Sequence, residues 1–499
     1  MNEEVTLTTR TRQHLVTSGQ RHRGHAARRP TLSGVLVCGL VLLTHAAGAA
    51  TLCVCGTGGD DGRDKATVTA SASGRSCGAP WATIGRAAWG STSRSTPIRS
   101  EAAEAGDTVY VCSGTYAAAL STGTGRYDVL YNPVNSGTSG GAIVFVADGA
   151  VAVQAPAWGG PVIGASSRDH VRWTGPFLVD EAAILTAPDT GPVVFVNTTG
   201  SGVDGATIHG SGALWADNHV GVRFDSCNQC FVRNTRIDNF KSLQTATSRN
   251  GSGVMLYDSD DTLIEHNDIS NCGSGIYIKA VFLTSSQDRT VVRFNAIHDV
   301  LAQGLIMQHT TDGRVYQNVI RDNPIGILFS GDDRPGHHPR NDIVANNTLD
   351  GNSTGVLYNG VRENLRFWNN IITNSATAHY SDGATPGNVR IEHNDYGGIT
   401  GHFARFRGVG YTFSDWRDAF SHDDAAPASI TRDPLYANGP SDDFRLCAGP
   451  RTPVRACSRT SPAWTLGIDL LDLDGDTSTS DTVPAGAYVT GNESVGRAD

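Results

Sequence analysis

The sequence predicts an all-β fold: a single-stranded right-handed parallel β-helix, or solenoid, with an amino-terminal helical cap and an irregular carboxyl-terminal cover. Three observations predict it. Short glycine-led phrases recur through the middle of the chain, a second phrase built on asparagine follows each, and both alternate with the period of a strand rather than that of a helix.

The first phrases are GVRFDS (221–226), GVMLYDS (253–259), GIYIKA (275–280), GLIMQH (304–309), GILFSG (326–331) and GVLYNG (355–360), which start at intervals of 32, 22, 29, 22 and 29 residues. The shorter intervals leave no room for a strand, a packed helix and two turns, so each interval reads as one coil. Residues one and three after the glycine are apolar, as in Val254 and Leu256, Ile276 and Ile278, Leu305 and Met307, Ile327 and Phe329. Alternation turns these inward, and stacked coils build a continuous core that no single coil supplies.

The second phrases are RNTRI, HNDI, FNAI, QNVI, NNTL and NNII, with HNDY (393–396) as a last echo. Asn267, Asn295, Asn318, Asn347 and Asn370 stand at tight bends, where an asparagine tolerates a left-handed backbone and bonds a neighbouring backbone group. Stacking one bend on the next lets amide bond to amide.

Around this ladder the chain divides into a leader (1–49), an amino-terminal segment with the helical cap (50–104), the β-helix (105–400, about ten coils) and a carboxyl-terminal cover and tail (401–499). The leader carries six arginines and two glutamates ahead of the apolar run GVLVCGLVLLTHAAGAA, the pattern of a secretory signal. PWATIGRAAWGS (80–91) reads as a short amphipathic helix covering the first open coil, which blocks edge-to-edge association and favours a monomer.

Cleavage after Ala49 leaves 33 basic and 47 acidic residues, a formal charge near −14. That surface repels phosphate backbones and excludes nucleic acid as a partner. No apolar run of transmembrane length remains, so the expected location is secreted or extracellular, including association with a cell surface. In that compartment the near pairs Cys53/Cys55, Cys77/Cys112, Cys227/Cys230 and Cys447/Cys457 are the economical bridges, with Cys77–Cys112 expected at the cap and Cys272 left unpaired. CNQC at 227–230 has no second ligand pair to complete a zinc site. DLDGDTSTSD (472–481) lacks the ligand order of an EF-hand loop and reads as an acidic turn.

Residues two and four after each glycine point away from the core and are expected to face solvent. The fourth position forms a column, Asp225, Tyr257, Lys279, Gln308, Ser330 and Asn359. Tyr257, Lys279 and Gln308 then make a polar patch about 10 Å long, the span of a couple of sugar units, with Asp258 and His309 at its edge.

These phrases resemble the secreted right-handed parallel β-helix proteins of the pectate-lyase-like superfamily. AGDTVYVCSGTY (105–116) near the start and DPLYANGPSDDFRL (433–446) with VPAGAYV (483–489) near the end extend the resemblance over roughly 75–490. It implies the fold and a carbohydrate-active protein acting on an extracellular, acidic polysaccharide.

Locally the chain is similar to the alginate lyase and chondroitin B lyase family, which carries a lysine in I-x-x-K and, one coil on, L-x-L-R-H-G. IYIK places Lys279 on that lysine, and LIMQHT places Gln308 on the arginine and His309 on the histidine. The resemblance implies a polysaccharide lyase with Lys279 and His309 as catalytic residues, Gln308 binding substrate and a Ca2+ cofactor; the outward column and its edge add Tyr257 as a catalytic candidate and Asp258 and Asn359 as substrate-binding ones, and the need to neutralise a carboxylate adds Arg293. Two departures stand out. Gln308 has no charge, and the family's acidic calcium ligands fall on Cys272 and Ser274.

The chemistry asks three things: that the uronate carboxylate be neutralised, that a base take the C5 proton, and that an acid protonate the departing oxygen. Lys279 serves as the base only where burial or a cationic neighbour lowers its proton affinity. Arg293 lies on the following strand, where alternation can carry it around the bend from Lys279. Two other readings stay open: a glycoside hydrolase using Asp258, Asp260 and Asp261 or Asp332 and Asp333, and a non-catalytic carbohydrate-binding or structural solenoid.

Overall fold

The computed structural model describes residues 49–118, 125–184, 191–215, 218–242, 249–279, 287–331, 338–360, 362–381, 383, 389–420, 428–438, 443–447, 460–468, 482–488 and 495–496. Their chain winds as a right-handed parallel β-helix. Each coil contributes one strand to an 11-stranded front sheet and two short strands to a 21-stranded back sheet that bends over a corner. One full coil runs from the front strand Ser252–Tyr257 through the back strands Leu263–Glu265 and Asp268–Ser270 to the next front strand, Ser274–Lys279. Pairing is parallel and in register, with Val254 beside Ile276 and Leu256 beside Ile278.

The expected inward residues form the core: Val254, Leu256, Ile276, Ile278, Leu305, Met307, Ile327 and Phe329 are all buried. The leading glycines are a packing requirement. A Cβ on Gly275 would lie 2.4 Å from the Gly304 carbonyl oxygen and 2.4 Å from Cγ2 of Ile297, so only glycine lets the front strand close on the next coil.

The asparagine ladder is present and buried. The Nδ2 of Asn267 donates to Oδ1 of Asn295 at 2.9 Å, Asn295 to Asn318 at 2.9 Å, Asn318 to Asn347 at 2.9 Å, Asn347 to Asn370 at 3.0 Å and Asn370 to Asn394 at 3.2 Å. The left-handed residue at this corner is the one before each asparagine: His266, Phe294, Gln317, Asn346, Asn369 and His393 all have φ between 54° and 58°. The division follows from geometry, since the left-handed residue turns the chain and aims its own side chain outward, while the next residue points in and must bond. A ring as large as that of Phe294 holds this backbone while stacking 4.7 Å from His266. A second, shorter ladder runs from Asn323 to Asn352 at 3.1 Å.

At the amino end the helix within 80–91 forms as Ile84–Trp89, with Thr83 as N-cap and Gly90, at φ 70°, as C-cap. All six of its residues are buried. It is therefore a core-packed plug rather than an amphipathic surface helix. The amino-terminal segment also supplies a strand, Thr51–Val54, paired in parallel with Thr108–Val111.

That strand corrects the expected disulfides. The observed bridges are Cys53–Cys77 and Cys55–Cys112, in place of Cys53/Cys55 and Cys77/Cys112. Pairing of Val54 with Val111 sets Cys55 directly beside Cys112. Two cysteines alternating along one extended strand cannot close on each other. Cys227–Cys230 is bridged as expected, and Cys272 is a buried free thiol. Cys447 is disulfide-bonded, and Cys457 lies outside the described residues. The acidic turn 472–481 also lies outside them.

Candidate functional site on the front sheet

The register of the front sheet builds the expected column. Asp225 pairs with Tyr257, Tyr257 with Lys279, Gln308 with Ser330, and Ser330 with Asn359. Its exposure differs from expectation. Tyr257 is 4 % exposed, and the neighbouring outward row, Met255, Tyr277, Ile306 and Leu328, is buried with Val220 in an apolar cluster of its own. Alternation fixes the side of the sheet a residue occupies and leaves open what packs over that side. Farther toward the amino end, Val129 packs on the outward Val194 and Val196.

Lys279 is half-buried between two tyrosines. Its Nζ donates to the Tyr257 hydroxyl at 3.5 Å and lies 5.2 Å from the Tyr257 ring centre and 5.4 Å from that of Tyr277. The Tyr257 hydroxyl donates to Oδ1 of Asn218 at 2.7 Å, and the Tyr277 hydroxyl donates to Oε1 of Gln308 at 2.5 Å. Burial raises the proton affinity of the Tyr277 phenol, and Arg249, 5.6 Å from its ring, works against that. Two tyrosines, a lysine and a glutamine from three successive coils thus form one connected polar array.

Arg223, from GVRFDS, extends the array by one coil. It occupies the row filled by Met, Tyr, Ile and Leu in the following coils, and it is 2 % exposed. Its guanidinium carbon lies 4.4 Å from the Tyr257 ring centre and 5.5 Å from that of Tyr127. Sequence reasoning passed over Arg223, although a charge inside an otherwise apolar row was a legible signal. Tyr127 and Asn218 come from irregular segments with no repeat to mark them.

The other expected residues are placed as follows. His309 is buried at the corner after the front strand Gln303–Gln308, in a left-handed backbone with φ 59°. Asp258 stands at the corresponding corner after Tyr257, half-buried with φ 46°. Asn359 ends its front strand, exposed, three coils from Lys279.

Arg293 does not join them. It belongs to the back sheet, where its Nε donates to Glu265 at 2.8 Å and its Nη1 to the Tyr316 hydroxyl at 3.0 Å. The corner between the sheets turns its side chain onto a different face from Lys279.

The carboxylates offered for hydrolysis are engaged in the corner. Asp261 holds Arg289 through two bonds of 2.6 and 2.9 Å, which keeps its carboxyl below the usual range. Asp260 accepts from the Asp288 backbone at 3.0 Å, and burial raises its proton affinity. Asp332, Asp333 and His337 lie outside the described residues, as do all of residues 280–286 and 332–337.

Where the local resemblance places calcium-binding acids, the chain has neutral groups. Ser274 is buried and donates to Gln303 at 3.1 Å; the Cys272 thiol, pushed up to about 12 by burial, donates to the Ser270 carbonyl at 3.2 Å. A buried thiol and a hydroxyl are poor ligands for a hard cation. Among the described residues no cluster of three or more His, Cys, Asp or Glu converges as a metal set.

Residues 220–396 match the family model described as right handed beta helix region. No curated protein matches the sequence. Among solved structures, pectate lyase Pel9A is similar at 13% identity, with 89% of this chain and 97% of that chain covered and a TM-score of 0.48. The A-module of the Azotobacter vinelandii mannuronan C-5 epimerase AlgE4 is similar at 13% identity over 66% of this chain and 91% of that chain, with a TM-score of 0.44. An exopolygalacturonase from Thermotoga maritima is similar at 12% identity over 60% and 82%, with a TM-score of 0.39. At these identities the likeness is one of fold.

Proposed function

We propose that this protein is an exported polysaccharide lyase that cleaves an acidic polysaccharide by β-elimination on its front sheet, with Lys279 as base and Tyr257 as acid. The observation that carries the reading is the 3.5 Å contact between the Lys279 amine and the Tyr257 hydroxyl beside the cationic Arg223. Arg223 places a cation beside Tyr257, and a cationic neighbour is a condition under which a lysine can act as a base.

The proton balance closes on these two side chains. The neutral Lys279 amine takes the C5 proton, the electron pair forms the C4–C5 double bond, the C4–O bond breaks, and Tyr257 gives its proton to the departing oxygen. The resulting phenolate then recovers a proton from the adjacent Lys279 ammonium, which restores both groups without water entering the reaction. Asn218 orients the phenol. The bond between Tyr277 and Gln308 ties the next coils together, where the following sugar would rest.

Export is supported by the leader and by the disulfides Cys53–Cys77, Cys55–Cys112 and Cys227–Cys230, which suit an oxidising compartment. Repeating sugars along repeating coils suit a solenoid. The positions expected to bind calcium hold the neutral Cys272 and Ser274, so neutralising the sugar carboxylate falls to cationic side chains.

The test is a screen of alginate, pectate, chondroitin and neutral glycans at several pH values, with and without calcium, read by ultraviolet absorbance of the unsaturated uronate. Elimination on at least one acidic polymer is expected. New reducing ends without that absorbance would move the assignment to hydrolysis, and absence of any cleavage to a binding solenoid.

A further inference from the structure

We infer that Arg223 and Tyr127 form the subsite that receives the carboxylate of the acidic sugar, an inference that rests on the lyase reading above. Arg223 points out of the front sheet and yet is 2 % exposed. Its Nη2 donates to Oδ2 of Asp225 at 3.1 Å and to the Tyr127 hydroxyl at 3.3 Å, while Tyr127 donates to the same Asp225 oxygen. The two remaining nitrogens, Nε and Nη1, are buried and donate to nothing among the described residues.

Buried guanidinium donors left idle are costly, so such an arrangement points to an acceptor that arrives with a ligand. Burial alone works against the charge of Arg223, but Tyr257, Tyr127 and Asp225 outweigh it and the group stays cationic. Among the described residues Arg223, Lys279 and Arg249 gather around the rings of Tyr257 and Tyr277, with Asp225 bonded to Arg223, in a chain whose formal net charge is −10. The local surplus of positive charge selects an anion. A planar carboxylate matches the planar donor fork of a guanidinium.

Position supports the same assignment. Arg223 and Lys279, two coils apart, both stand against the Tyr257 ring, 4.4 and 5.2 Å from its centre, so a uronate lying over that ring would have its carboxylate toward the first and its C5 hydrogen toward the second. Tyr127, 36% exposed, stands at the solvent edge of Arg223 and would have to turn aside or re-bond as the carboxylate enters. Asp225 keeps the guanidinium oriented when no sugar is present. This subsite takes over the task that Arg293 was expected to perform.

The probes are 4-linked tetrauronates (galacturonate, guluronate and mannuronate) and their methyl esters, which keep the sugar and remove the charge. Binding is measured calorimetrically on the full chain carrying Lys279→Met, which prevents turnover. At least one free acid is expected to bind, with its methyl ester weaker by about tenfold to a hundredfold, and Arg223→Met is expected to abolish that preference. Equal binding of acid and ester, no binding of any tetrauronate, or an unchanged preference in folded Arg223→Met would each overturn the subsite. Should Arg223→Met fail to fold, the acid-to-ester preference of the Arg223-containing protein and a reduced preference in Tyr127→Phe carry the test. Binding with this preference but no unsaturated product would retain the subsite and remove the elimination. Elimination with no charge preference would do the reverse.

Discussion

At the inner corner, Asn267, Asn295, Asn318, Asn347, Asn370 and Asn394 repeat one residue type, and each amide bonds the next. On the front face largely the same coils present Tyr257, Lys279, Gln308, Ser330 and Asn359, with no residue repeated. The inner amides are saturated: Asn318 donates to the Val292 and Tyr316 carbonyls and to Asn347, and accepts from the Asn295 backbone and side chain. In the front array Nε and Nη1 of Arg223 are buried without an acceptor among the described residues. Repetition with every polar group satisfied serves the scaffold. Departure from repetition, with charge concentrated and bonds left open, is where a ligand has something to add.

Exchanging the effects of the two regions is the sharpest way to break this comparison. Lys279→Ala is expected to lower turnover by about 10²- to 10⁴-fold while leaving the melting temperature near that of the unmodified protein. Steady-state rates on the polymer found in the screen, beside a thermal melt, check it; a retained rate removes Lys279 from the mechanism. Asn318→Ala is expected to do the opposite, costing roughly 2–4 kcal/mol of stability by leaving buried carbonyls and two neighbouring amides short of partners, with turnover kept below the melting range. Denaturant unfolding checks this, and a loss under about 0.5 kcal/mol would show that the ladder is not what holds the corner.

A smaller effect separates the scaffold from its carboxyl-terminal cover. Burial raises the Asp395 carboxyl to about 7; its Oδ1 accepts from the Arg432 backbone at 3.2 Å, and its Oδ2 is buried without a partner among the described residues. Asp342, also fully buried and raised to about 7 by that burial, has the same sign. Their folded affinity for a proton exceeds the unfolded one, so both favour the folded state at low pH and lose that contribution as pH rises from about 4 through 7. Asp395→Asn is expected to match the unmodified protein near pH 4 and to exceed it at pH 8 by roughly 1–3 kcal/mol. Unfolding curves at the two pH values check the sign, and equal gains at both would place the effect in packing instead of ionisation.

The sequence by itself determined the coil, because its signals are local and repeated. A glycine that admits the next coil, an alternating pair of inward apolar residues and an inward asparagine recur at each turn, and every repetition confirms the others. The same register placed Tyr257, Lys279 and Gln308 side by side, since parallel in-register stacking converts equal positions in the repeat into neighbours in space. What lies across a corner or comes from outside the repeat was decided by tertiary structure. Arg293 follows Lys279 closely in sequence but is carried to the back sheet and held by Glu265. Cys55 reaches Cys112 only because a strand from the amino-terminal segment joins the first coil. Tyr127, 98 residues from Asp225, reaches it through a segment laid across the front face. Periodicity fixes the side of the sheet from which a side chain emerges, whereas burial and partners depend on which non-repeating segment packs over that side, and no local pattern encodes that choice.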